Sequence, residues 1–85
     1  MKEFKHIIKD PLGIHARPAS LLVKEAGKFT SDISIETGGK IADAKKIFAV
    51  MGLGAKVGSE LVVQCTGEDE ETASAELENF FKANL

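Results

Sequence analysis

The stretch Ile33-Ser34-Ile35-Glu36-Thr37-Gly38-Gly39-Lys40-Ile41-Ala42-Asp43 decides the kind of sheet this chain builds. Ile33, Ile35 and Thr37 alternate with Ser34 and Glu36, the two-residue period of a half-buried strand. Gly38-Gly39 suits a two-residue hairpin turn into a short second strand over Lys40 to Asp43. The pair is therefore expected to be antiparallel. Upstream, residues 2 to 9 alternate imperfectly, with Phe4, His6 and Ile8 on one face and Lys5, Ile7 and Lys9 on the other, which reads as another half-buried strand. Asp10-Pro11-Leu12-Gly13 breaks it. From Ala16 to Gly27, the residues Ala19, Leu22, Val23 and Ala26 recur at helical spacing. Pro18 is tolerated there because it falls in the first turn, and Gly27 supplies a stop.

Downstream of the hairpin, Lys46 to Leu53 reads as a short helix with apolar side chains almost all round: Ile47, Phe48, Val50, Met51 and Leu53. Such a segment is too short to be stable alone. In Glu60 to Thr66, Leu61, Val63 and Cys65 face one way and Val62, Gln64 and Thr66 the other, so Cys65 is expected in the core. The final helix, Asp69 to Asn84, carries Ala73, Leu77, Phe80 and Phe81 as a core stripe. The acidic run Glu68 to Glu71 is read as a solvated start that complements the helix dipole. The order strand, helix, strand, strand, short helix, strand, helix fits an α+β domain spanning 1–85, an antiparallel sheet covered on one face by helices. That class says nothing about activity.

Composition narrows the field. A chain of 85 residues buries only about 60% of its unfolded surface, which argues against a large substrate cavity. A net charge of -2 gives no general attraction to nucleic acid or to an anionic membrane surface, so a protein partner is expected. Cys65 has no second cysteine to pair with and no metal-type spacing around it, which fits a reducing compartment and predicts no metal and no cofactor. The N-terminal MKEFKHIIKDP lacks the apolar core of a signal peptide, and no run approaches a membrane span. A cytoplasmic monomer is expected.

Chemistry concentrates in Gly13-Ile14-His15-Ala16-Arg17-Pro18-Ala19, which sets a histidine immediately before a helix start and an arginine two residues later. The first turn of a helix leaves backbone N–H groups without intrahelical partners, and the dipole adds positive charge. An anion on His15 would thus be held by amides near Ala16 and Arg17, with the Arg17 guanidinium adding charge-assisted hydrogen bonds. A neutral imidazole nitrogen is nucleophilic near neutral pH, and the phosphoramidate it forms transfers readily. A lone histidine beside an arginine is more often simply a helix start. The surrounding sequence changes that reading.

The ordered run Gly-Ile-His-Ala-Arg-Pro-Ala near the N-terminus resembles the phosphorylation site of the HPr family, the histidine-containing phosphocarriers of the bacterial phosphoenolpyruvate-dependent sugar phosphotransferase system. The resemblance extends over essentially the whole chain, through Gly38-Gly39-Lys40, Lys45 to Gly54, Gly58 and the acidic start of the last helix after Gly67. It implies an open-faced β-sandwich with four antiparallel strands in spatial order 1-4-2-3 and three helices on one face. It also implies that His15 accepts a phosphoryl group on Nδ1 from enzyme I, giving pros-phosphohistidine, and donates it to sugar-specific enzyme IIA domains, the carrier being one component of a phosphotransferase chain and not an enzyme in its own right. One departure matters. HPr proteins usually carry a serine at the start of the short second helix, a regulatory kinase site in many Gram-positive bacteria, whereas this chain reads Ala44-Lys45-Lys46-Ile47. Lys46 has no hydroxyl, so serine-linked control is expected to be lost and carrier activity kept.

Ile47, Phe48 and Met51 can share one helix face while Val50 and Leu53 point to the core. From spacing alone all five can equally be core. The resemblance favours docking of enzyme I and enzyme IIA there, with Ala16, Ser20 and Lys24 as rim contacts. His6 has no ligand-type neighbours in sequence and reads as structural. A non-sugar relay, nitrogen-related or serving dihydroxyacetone kinase, would use His15 and Arg17 in the same way. A ferredoxin-like nucleic-acid or metal-binding module fits poorly, because the chain has neither a basic surplus nor a cysteine pair.

Overall fold

Gly38 and Gly39 adopt φ of +56° and +80°, the left-handed pair that a type I′ turn requires. They close a hairpin in which Thr37 pairs with Lys40 and Ser34 with Asp43. The structure, a computed structural model describing residues 1–85, runs β1 (Lys2–Ile7), α1 (Ala16–Ala26), β2 (Asp32–Thr37), β3 (Lys40–Asp43), α2 (Ile47–Met51), β4 (Glu60–Thr66) and α3 (Glu70–Asn84). The sheet order is β1-β4-β2-β3, and every neighbouring pair is antiparallel. This is the 1-4-2-3 arrangement that the family resemblance implied.

Register puts whole rows of side chains on one face. Phe4, Val63, Ile35 and Ala42 stand in one cross-strand row, and all four are buried beneath the helices. The next row, Lys5, Val62, Glu36 and Ile41, points to the other face, where Ile41 is 71% exposed because nothing covers that side. Helix α3 lays Ala73, Leu77 and Phe81, each four residues after the last, onto β1 and β4. The Phe81 ring meets Phe4 edge-on at 5.8 Å. Truncating such a buried ring to alanine typically costs about 3–5 kcal/mol. Phe80 is only partly buried and packs on the flank of Phe81, so it is a margin of the stripe and not its centre. Cys65 is fully buried in the row with Ile33, and burial pushes its thiol up in pKa, with the charges of Glu70 and Asp69 adding to the effect.

Gly27 is the C-cap of α1, where the stop was expected, and its φ of -65° is an ordinary right-handed conformation, so left-handed freedom is not what ends the helix. Two local expectations need correction. Helix α2 is shorter than Lys46 to Leu53 and covers Ile47–Met51. The acidic run is more than a solvated start: Asp69 accepts hydrogen bonds from the amides of Thr30 (2.9 Å) and Ser31 (3.0 Å) and from the Ser31 hydroxyl. Glu70 accepts from the Gly67 amide (3.1 Å) and pairs with the N-terminal ammonium at 2.8 Å. These bonds hold the Asp69 carboxyl below the usual carboxylate range, chiefly through the Ser31 hydroxyl and then the Thr30 amide. For Glu70 the N-terminal ammonium acts first and the Gly67 amide second. The two carboxylates tie the start of α3 to the loop after α1 and to the chain's N-terminus. The sequence pattern hid this because the partners lie far away along the chain.

Candidate functional site

The loop that ends β1 is built as a tight turn. The Gly13 amide donates to the Asp10 carbonyl (2.9 Å), and the Leu12 amide donates to Asp10 Oδ1 (2.8 Å). The carboxylate thus braces its own turn while Pro11 occupies the second turn position. Gly13 has φ of +67° and lies so close to the neighbouring loop that an added Cβ would overlap the Ala55 carbonyl and sit 2.9 Å from Lys56 Cα. Ile14 follows with its side chain buried and its amide on the Ala55 carbonyl at 3.2 Å. On the other side the Lys9 and Asp10 amides donate to the Leu85 carbonyl, at 2.6 and 3.1 Å. His15 therefore leaves a loop that is fixed at both ends.

His15 is the residue before α1, with extended backbone (φ -101°, ψ -176°), and its side chain makes no capping hydrogen bond. The imidazole is 37% exposed, and Nε2 lies 3.8 Å from Asp10 Oδ2. Ala16 and Arg17 are the first two helical residues, so their amides have no intrahelical acceptor, and the buried Pro18 after them has no N–H to satisfy. Arg17 lies exposed with no carboxylate in salt-bridge contact. Asp10, His15, Arg17, Pro18, Leu21 and Asn84 line one open cavity of about 150 Å³. An imidazole nitrogen, two unclaimed amides and a free guanidinium thus face common solvent, an arrangement suited to an anion carried on the ring.

Asp10, Leu21 and Asn84 join this site without having been expected there. Asp10 had only a strand-breaking role in the sequence pattern, and Asn84 comes from the far end of the chain. Its amide nitrogen donates to the Phe80 carbonyl at 3.0 Å, which holds it at the C-terminal end of α3. No local spacing signals such a contact.

Ser20 and Lys24 are exposed on α1. On α2 Phe48 is 85% exposed and Met51 38%, whereas Val50 is buried, as is Leu53 just beyond the helix. Ile47 departs from the expectation: it is partly buried and packs against the core, leaving Phe48 as the main projecting side chain. Leu12, Leu21 and Val57 are further exposed apolar residues, on the His15 loop, on α1 and on the loop that holds Gly13. Lys46 precedes α2 in extended conformation and makes no side-chain cap. His6 is half-buried with its ring 5.3 Å from that of Phe81. No helix is long and apolar enough to cross a membrane.

The family model described as the HPr component phosphorylation site of the phosphotransferase system matches residues 2–83. The phosphocarrier protein HPr of Lysinibacillus sphaericus is 49% identical over 73 residues, which span 86% of this chain and 83% of that protein. Among solved structures, HPr-C-His from Thermoanaerobacter tengcongensis superposes with a TM-score of 0.92 at 40% identity, covering 98% of this chain and 93% of that one. An HPr dimer from the same organism has a TM-score of 0.78 at 40% identity, covering 98% and 95% respectively.

Proposed function

This chain belongs to the HPr family of phosphocarrier proteins, and on that premise we propose that His15 accepts a phosphoryl group from phosphoenolpyruvate-charged enzyme I and donates it to enzyme IIA domains that serve sugar uptake. The observation that carries the reading is that the His15 ring and the unpaired Arg17 side chain line one open cavity at the start of α1, whose first amides, those of Ala16 and Arg17, have no intrahelical acceptor. Phosphoryl transfer depends mainly on positioning and charge stabilisation. The helix terminus and Arg17 supply part of both, and the partner protein supplies the rest. The work requires no cofactor and one copy of the chain, in the cytoplasm.

Docking falls to the exposed apolar side chains Phe48 and Met51, with a lesser share for the half-buried Ile47, and to Ala16, Ser20 and Lys24 at the rim. An aromatic ring this exposed suits a protein interface in which it becomes a buried anchor. Lys46 has no hydroxyl at the position where the family resemblance implies a regulatory serine, so the chain escapes serine-directed control.

Reconstitution tests the whole relay. Enzyme I, phosphoenolpyruvate and this protein should together label a sugar-specific IIA domain, and the Arg17→Ala variant should do so more slowly. Labelling of a nitrogen-related acceptor or of a dihydroxyacetone kinase component, with none of any sugar-specific IIA domain, would reassign the relay to a non-sugar route.

A further inference from the structure

The Asp10 carboxylate has two oxygens with different surroundings. Oδ1 accepts the Leu12 amide at 2.8 Å, which fixes the plane of the group, and Oδ2 is left 3.8 Å from His15 Nε2. The backbone that carries the carboxylate is fixed as well, because the Asp10 amide is held on the Leu85 carbonyl and the Asp10 carbonyl accepts the Gly13 amide. At that distance the two groups are charge neighbours and are not hydrogen-bonded, and the negative oxygen, an acceptor only, favours the N–H form of the ring nitrogen it faces. His15 makes no capping bond to the helix amides, so its other nitrogen is not drawn into one.

We propose that Asp10 is a positioning residue for phosphoryl transfer, holding the proton of His15 on Nε2 so that Nδ1 presents its lone pair to the incoming phosphoryl group. The inference rests on His15 being the acceptor. During transfer the Nδ1 lone pair forms the N–P bond while the donor's bond to phosphorus breaks and its electron pair leaves with the donor. The proton stays on Nε2, and the ring becomes cationic beside the Asp10 carboxylate, which offsets that charge. On the onward step the N–P bond breaks, the electron pair returns to Nδ1, and the ring is neutral again with the same proton in place.

Asp10→Asn and Asp10→Ser separate this role from a purely structural one, because an amide oxygen or a hydroxyl can still accept the Leu12 amide and keep the turn. Asn then turns its NH2 toward Nε2, a donor where an acceptor stood, and Ser leaves nothing within reach. The tautomer ratio of His15, read from ring nitrogen shifts by NMR at a pH that keeps the ring neutral, should fall in the order wild type, Asp10→Ser, Asp10→Asn. The expected change in the ratio of the Nε2–H to the Nδ1–H tautomer is about two- to fivefold across the series, the scale of a partly exposed pair. The rate of His15 labelling by charged enzyme I should fall in the same order. Equal tautomer ratios in all three proteins, with turn and fold intact, would overturn the proposal, as would rates that drop without any change in ratio. Absence of labelling on wild-type His15 would count against the acceptor reading itself, and the tautomer order would still be measured independently of it.

Discussion

Replacing Gly13 with alanine should damage the site through the backbone alone. An L-residue at φ of +67° costs about 1–2 kcal/mol. The new methyl would also overlap the Ala55 carbonyl and lie 2.9 Å from Lys56 Cα. Both neighbours are backbone atoms, so the two loops must part. Separation breaks the Ile14 amide bond to Ala55 at 3.2 Å, worth about 0.5–1.5 kcal/mol, and loosens the buried Ile14 side chain. Together these give a loss of about 2–4 kcal/mol, and a domain of this size shifts in Tm by about 4–8 °C per kcal/mol. Gly39→Ala provides the reference: its φ of +80° is equally unsuited to alanine, but nothing lies within 4 Å of the added Cβ. Urea denaturation should show Gly13→Ala to be less stable than Gly39→Ala by about 1–2 kcal/mol, the contact and hydrogen-bond share of the sum. His15 labelling should slow only in the first variant. Equal destabilisation by both substitutions would refute the view that loop contact at Gly13 holds the site in place.

Phe48→Ala should leave stability within about 0.5 kcal/mol, because an 85% exposed ring has little to lose, yet weaken binding to enzyme I or an IIA domain by about 1–2 kcal/mol; calorimetric titration and thermal melts read the two separately. Lys46→Ser places a hydroxyl at an uncapped helix start and should add about 0.5–1 kcal/mol of stability, while creating an acceptor for the HPr kinase and ATP where the unmodified protein shows none. Because the folded-state pKa values of Asp69 and Glu70 are depressed, their contribution is fully present above the unfolded carboxylate range, near 4, and is lost as pH falls through the folded values. Asp69→Asn should therefore lie below wild type in stability at pH 7 and converge with it in acid; a gap that stays constant down to the lowest pH would exclude the titration of Asp69 as its cause.

The sheet was legible because its signals are local. The alternation in Ile33 to Thr37 and the Gly38-Gly39 turn are settled within a few residues, and the order of strands beyond that hairpin came from the family resemblance. Helix α1 and the buried face of α3 were likewise written in spacing, with Phe80 misjudged because four apolar residues cannot all lie at the centre of one stripe. What spacing missed depends on contacts across the chain: Asp69 with Thr30 and Ser31, Glu70 with the N-terminus, and Asp10 and Asn84 with the His15 cavity. Ile47 was drawn to the core because α2 spans only Ile47–Met51 and its first residue lies against the cluster that Val50 joins.

The central claim is that one of two histidines carries the phosphoryl group, and mapping the adduct tests it most directly. After incubation with enzyme I and phosphoenolpyruvate, phosphate-retaining fragmentation should place a single acid-labile group on His15. None should appear on His6, whose Nε2 is buried against the Phe81 side of the core without a hydrogen-bond partner, and His15→Ala should remain unlabelled and folded. Phosphate found on His6, or undiminished labelling of His15→Ala, would contradict the account.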